Sequence, residues 1–134
     1  MDLSVVSAKK AIEHLYKEEP VYCGLMNDKT TLQELKVGNL SHEIIGYTGD
    51  RKLVTFSTVD DDGEYGFIEN TSTVSFNSLP ASRIKYAVFV DAPTEGEIIG
   101  WCPMKDAYGN LQDRIVQAGN TVSFSPGNLK FKLG

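Results

Sequence analysis

The sequence predicts a mainly β protein, an antiparallel β-sandwich of jelly-roll-like type behind a single N-terminal helix. Three observations carry that expectation. Arg83 to Ala92, R-I-K-Y-A-V-F-V-D-A, is a near-continuous apolar run in which Ile84, Tyr86, Val88 and Val90 fall on one face and Ala87 and Phe89 on the other. A strand apolar on both faces needs cover on both, so it belongs at the centre of a layered structure. Many short alternating runs surround it, separated by turns rich in Gly, Pro and Asn, as in sandwiches and barrels. Helical spacing, by contrast, is convincing in one place only.

That place is Ser4 to Lys17. Val5, Ala8, Ile12, Leu15 and Tyr16 recur at intervals of three and four and form one apolar stripe. Ser4 is placed to cap the first turn, Glu13 and Lys17 form a favourable i, i+4 pair, and Pro20 ends the helix. We therefore divide the chain into a helix or arm at 1–20 and a β-domain at 21–134. The helix either covers part of the sheet or reaches out to a neighbour. Val5, Ile12 and Tyr16 are its candidate contact residues.

The strands follow in order. Val21 to Leu25 is the first, and the polar stretch Asn27 to Gly38 is a loop anchored by Leu32 and Leu35. Glu43 to Tyr47 and Lys52 to Thr58 are the next two, parted by Thr48-Gly49-Asp50. Asp60 to Gly66 reads as a turn and Thr73 to Asn77 as a strand. The central run then turns through Asp91 to Gly96 into Glu97 to Cys102, a hairpin. Pro103 to Asn110 is a polar loop. Arg114 to Gln117, Thr121 to Ser125 and Asn128 to Leu133 complete the set, with Ala118-Gly119-Asn120 and Pro126-Gly127 as turns.

Size and charge narrow the function. A chain of 134 residues, 41% hydrophobic and 23% charged, suits one core. A net charge of −5 with scattered Lys and Arg speaks against nucleic acid as a partner, because phosphate binding needs a basic patch. Nor does any apolar run approach the roughly 20 residues that cross a bilayer, so no membrane partner is expected. The N-terminus lacks the basic opening and long apolar stretch of a secretory leader, which gives an expectation of synthesis in the cytoplasm. Cys23 and Cys102 lie far apart in apolar strands and read as reduced, buried thiols.

Residues with chemical potential are few. Thr58 to Glu69 partly matches a calcium loop, with Asp60 and Asp62 at the third and fifth positions, Gly63 at the sixth and Glu69 at the twelfth. Thr58 stands where the first Asp belongs, and the flanks read as strands. A solvated acidic hairpin tip is the better reading, so no metal and no cofactor is expected. His14 and His42 have no nucleophile motif beside them, the serines lack a G-x-S-x-G setting, and Glu95 and Glu97 flank a turn glycine. No enzyme is expected. Trp101 and Tyr108 are candidates for an interface anchor or a sugar-binding platform, although Ile99, two residues before Trp101, argues for a core tryptophan.

Taken in order, V-Y-C-G-L, G-Y, L-V-T-F, N-T-S-T-V-S-F, Y-A-V-F-V-D-A, G-E-I-I-G-W, A-G-N-T-V-S-F and P-G-N-L-K-F-K-L resemble a family of small bacteriophage virion structural proteins, labelled head-decoration-like or tail-fibre-like. The resemblance runs from Val21 to the C-terminus. Departures are Val90 inside the usual F-D-A, Asn120 where Asp is common, and Met104 to Gln112, which looks inserted. The resemblance implies a non-enzymatic component of the virion, and we expect it on the head surface rather than the tail. The expected role is a capsid decoration (cement) protein that binds the major capsid protein lattice as a homo-oligomer, a trimer being one arrangement. The alternatives are a tail-fibre or baseplate component and a carbohydrate-binding module.

Overall fold

In the computed structural model, which describes residues 3–134, the chain forms an antiparallel β-sandwich with a short N-terminal helix. Helix α1 spans Val5–Ile12, and Ser4 caps it by accepting from the Ser7 amide. Glu13–Lys17 continues as a π-turn rather than an α-helix. The wider turn sends Tyr16 inward and leaves Leu15, expected in the buried stripe, 41% exposed.

The main sheet runs β2 (Lys52–Leu53), β1 (Tyr22–Asn27), β6 (Ser82–Val90) and β7 (Ile98–Pro103), with β8 (Arg114–Val116) pairing the first residues of β6. A second sheet has the order β10 (Lys130–Leu133), β4 (Gly66–Glu69), β3 (Asp60–Asp61). Strands β5 (Val74–Phe76) and β9 (Val122–Phe124) form a third, two-stranded sheet. Strand β4 is absent from the sequence-based reading, because Phe67-Ile68-Glu69 is too short to show a period. The segment expected as a strand at Glu43 to Tyr47 makes a single bridge from Glu43 to Met26 and then bends away through Gly46, whose φ is +92°.

The central strand is β6, covered on both faces. Ala87 and Phe89 face the main core, while Val88 and Val90 face a smaller cluster with Met26 and Leu35. Leu35 belongs to α2 (Leu32–Lys36), a short helix closed at its start by a reciprocal Thr31–Glu34 capping box. Two bulges correct the face assignments made from strict alternation. The register slips at Lys85, so Ile84 joins Ala87 and Phe89 instead of Tyr86 and Val88. It slips again at Ile99, which turns to the main core while Trp101 lies on the other face opposite Val88. An extra residue in one strand reverses which face every residue beyond it presents.

Helix α1 lies across β3, β4 and β10. Gly66 permits the close approach, since a Cβ there would sit 3.2 Å from the Lys9 backbone nitrogen and 3.3 Å from Ile12 Cδ1. Ile12 and Tyr16 are buried in the same core as the strands. The helix side that carries Ala8, Ile12 and Tyr16 is thus part of the sandwich itself. Among the described residues, no helix is long and apolar enough to cross a membrane.

Candidate interaction site

The polar side chains that this fold buries act as internal ties. Arg51, with 5% of its side chain exposed, donates from Nε and Nη2 to both carboxylate oxygens of Glu43, each at 2.7 Å. Its Nη1 donates to the Ala92 and Glu95 carbonyls at 2.9 and 2.5 Å. The hydrogen bonds to Glu43 raise the guanidinium above its ordinary value, against the effect of burial. A cleft of about 310 Å³ beside this pair is lined by Tyr47, Asp50 and Glu95 among others. Burial, reinforced by the Glu43 charge, pushes the Tyr47 phenol up to about 12.

Asn70 is a second tie. Its Nδ2 donates to the Ser72 and Ser125 carbonyls at 2.9 and 3.1 Å, and its Oδ1 accepts from the Leu129 amide at 2.9 Å. Its backbone bonds Leu129 and Gly127 as well. One residue, 1% exposed, thereby joins the end of β4 to the turn between β9 and β10. Periodicity gave no hint of this role. The signal was the lone Asn that opens N-T-S-T-V-S-F, a polar group at the edge of an apolar strand.

Two outward features remain. The first is the acidic hairpin tip between β3 and β4. Asp62 Oδ1 accepts from the Glu64 and Tyr65 amides at 3.0 and 2.7 Å, and Lys132 lies 3.3 Å from Oδ2. These amides, Tyr65 first, hold the Asp62 carboxyl down at about 2. Asp61 pairs with Lys9 at 3.2 Å. Asp60 and Glu64 are exposed and have no ion-pair partner among the described residues.

The second is a cleft of about 570 Å³ between the Pro103–Arg114 excursion and the segment from Ser123 to Leu129. Lys105 and Arg114 line it, over buried Met104, Phe124 and Leu129. Neither cation has an ion-pair partner among the described residues. The excursion is ordered by Asp106, whose Oδ1 accepts from the Tyr108 and Asn110 amides at 2.9 and 3.0 Å. Tyr108 stands 90% exposed at its tip, with Leu111 and Ile115 also exposed at 74% and 70%.

The structure separates the candidates named from sequence. Val5 is half-buried, whereas Ile12 and Tyr16 are core residues. Those last two are therefore corrected from contact residues to packing residues, because α1 folds back onto its own sheet. Tyr16 meets Phe56, Phe89 and Phe131 with ring centroids 4.8 to 5.6 Å apart, and its hydroxyl is buried against Gly100 with no hydrogen-bond partner. Trp101 packs on the smaller cluster and Tyr108 stands on a separate loop, so they do not form one platform. Asp60, Asp62 and Glu69 do not converge either. Asp62 caps the turn, while Glu69 lies at the far end of β4, with Oε2 3.6 Å from where a Gly127 Cβ would be. No group of three or more metal-ligating side chains occurs among the described residues.

His14 pairs with Glu18 at 2.8 Å, and His42 lies 2.9 Å from Glu34 without hydrogen-bond alignment. Cys23 and Cys102 are both free; Cys23 is buried as expected, whereas Cys102 is only half-buried and lines the second cleft. Burial raises both thiols, Cys102 to about 11.

The buried polar groups of this sandwich tie its loops together, and its outward groups are charged or exposed apolar side chains. Residues 4–132 match the model of the family described as podophage GP4 fiber I protein gp80, and the chain belongs to that family. It is a bacteriophage structural protein, a component of the virion. Comparisons with curated proteins and with solved structures gave no match.

Proposed function

We propose that this protein is a tail-fibre component of a podophage particle, a small rigid domain that joins other fibre or tail proteins without catalysing a reaction. The observation that carries this reading is the family match, which takes in nearly the whole described chain and bears the name of a fibre protein. It favours the fibre alternative over the cement role on the major capsid protein that the sequence suggested. The exposed Tyr108 and Leu111, on a loop braced by Asp106, and Ile115 of the adjoining β8 supply a contact surface for a protein partner. An aromatic held by local hydrogen bonds loses little freedom on docking, which favours it as an anchor.

The test is the number and position of copies on purified virions, by quantitative mass spectrometry and immunogold labelling. A few to a few dozen copies at the tail support the fibre reading. Hundreds of copies over the head, near the number of the major capsid protein, would return the decoration role. Complete absence would remove both. Tyr108→Ala and Leu111→Ser, in a chain that still folds, should lower incorporation. Deletion of residues 1 to 17 is no test of docking, because it takes Ile12 and Tyr16 out of the core.

A further inference from the structure

The acidic tip and the cationic cleft lie at opposite ends of one ladder. Strands β4 and β10 pair from Lys130 opposite Glu69 to Leu133 opposite Gly66. The turn at 62–65, with Glu64, lies beyond the Gly66 end, and Asp60 flanks it in β3, opposite Phe67. The cleft takes in Gly127, Asn128 and Leu129, just before the Lys130 end. Roughly 10 Å of paired strand separates the two ends. The molecule is thus polar along this axis, with Asp60 and Glu64 at one end and Lys105 and Arg114, in a cleft that Asp106 also lines, at the other, all four without ion-pair partners among the described residues.

We propose that copies of this chain associate head to tail, the acidic β3–β4 tip of one copy seating in the Lys105–Arg114 cleft of the next. Charge complementarity selects a second copy as the occupant. The chain carries a net charge of −5, so most approaches of one copy to another are repulsive. Approach of the tip to the cleft brings Asp60 and Glu64 toward Lys105 and Arg114, four groups without ion-pair partners among the described residues. The tip keeps its shape on docking because Asp62 holds the turn through two amides. The cleft wall is likewise preformed by the Asp106 bonds. Little ordering is then needed, which lowers the free energy that association costs. The two surfaces differ, so the contact is heterologous. Each added copy leaves a free tip and a free cleft, and the assembly closes as a ring or extends as a filament. This association follows from the charge layout alone, wherever in the virion the protein sits.

Sedimentation equilibrium of the purified full-length chain tests this. The wild type should associate with increasing concentration at about 0.1 M salt and dissociate near 1 M, where the screening length falls from about 10 Å to about 3 Å. Lys105→Glu with Arg114→Glu, and separately Asp60→Lys with Glu64→Lys, should each weaken association at least about tenfold. Mixing the two reversed proteins should restore it, since each tip then meets a cleft of opposite charge. Circular dichroism and thermal melts confirm that both variants fold. A wild type that stays monomeric at its solubility limit overturns the proposal and leaves the cleft to an acidic segment of another protein. Association that survives both reversals, or that the mixture fails to restore, overturns it equally.

Discussion

Arg51 reaches Glu43 directly across Gly24. A Cβ at Gly24 would lie 2.6 Å from Glu43 Oε2 and 3.5 Å from Arg51 Cδ, so the glycine in V-Y-C-G-L makes room for a buried ion pair. That pair fixes the irregular 43–51 segment and, through the Ala92 and Glu95 carbonyls, the turn between β6 and β7. Glu95 there holds a φ of +54°, a conformation unfavourable for a residue with a side chain.

Removing one member of the pair should be costly. Glu43→Ala or Arg51→Ala leaves an uncompensated charge in a site where the side chains are 11% and 5% exposed, and should destabilise by about 3 kcal/mol in urea unfolding. The double variant should lose less than the sum of the two. Gly24→Ala should also destabilise, and pairing it with Glu43→Ala should recover part of its own effect. Strict additivity in this cycle would contradict the contact.

Asn70→Ala should destabilise by about 1–3 kcal/mol, because the Leu129 amide loses its side-chain acceptor and the carbonyls lose their shared donor. Asn70→Asp should do no better than alanine. It keeps an acceptor for Leu129 but turns a carboxylate toward carbonyl oxygens. Chemical denaturation of both variants provides the comparison.

Tyr16→Phe should stabilise the protein, by about 1 kcal/mol. The rings of Phe56, Phe89 and Phe131 are kept, while a buried hydroxyl without a partner is removed. A lower melting temperature for the phenylalanine variant would show that the hydroxyl makes a favourable contact after all.

The acid side of the stability curve should carry the mark of Asp62. Its folded carboxyl, held at about 2, lies below the unfolded value of about 3.9. The folded state therefore binds its proton less readily. The associated stability is fully present above pH 4 or so and is lost as the pH falls through about 2. Asp62→Asn should lower stability at neutral pH and flatten its fall between those values. A parallel acid profile for the two proteins would count against this.

The thiols should be silent in the native state. Burial raises Cys23 and Cys102, the latter to about 11, so little thiolate exists at pH 8. Titration with a chromogenic disulfide should detect both only after unfolding. A rapid native reaction would mean that the half-buried Cys102 forms thiolate despite its raised value.

Part of this architecture could be read from residue order. Ala87 and Phe89 against Val88 and Val90 announced a strand covered on both faces, and the spacing of Ala8, Ile12 and Tyr16 announced a helix with one buried side. Other parts left no periodic trace. Strand β4 is four residues long and held between a distant partner, Lys130 to Leu133, on one side and the two-residue strand Asp60–Asp61 on the other. Alternation also misplaced Ile84 and Ile99, because a bulge depends on what the neighbouring strand offers and not on the bulged strand alone.

The sequence by itself determined the class of fold, the central strand and the presence of the helix, because burial of apolar faces at fixed periods is a local property of the chain. Only the tertiary structure decided that the helix belongs to the core, that Gly24 serves an ion pair between Glu43 and Arg51, and that tip and cleft stand at opposite ends of one ladder. Those relations join residues distant along the chain, and they exist only once the sheets have closed around them.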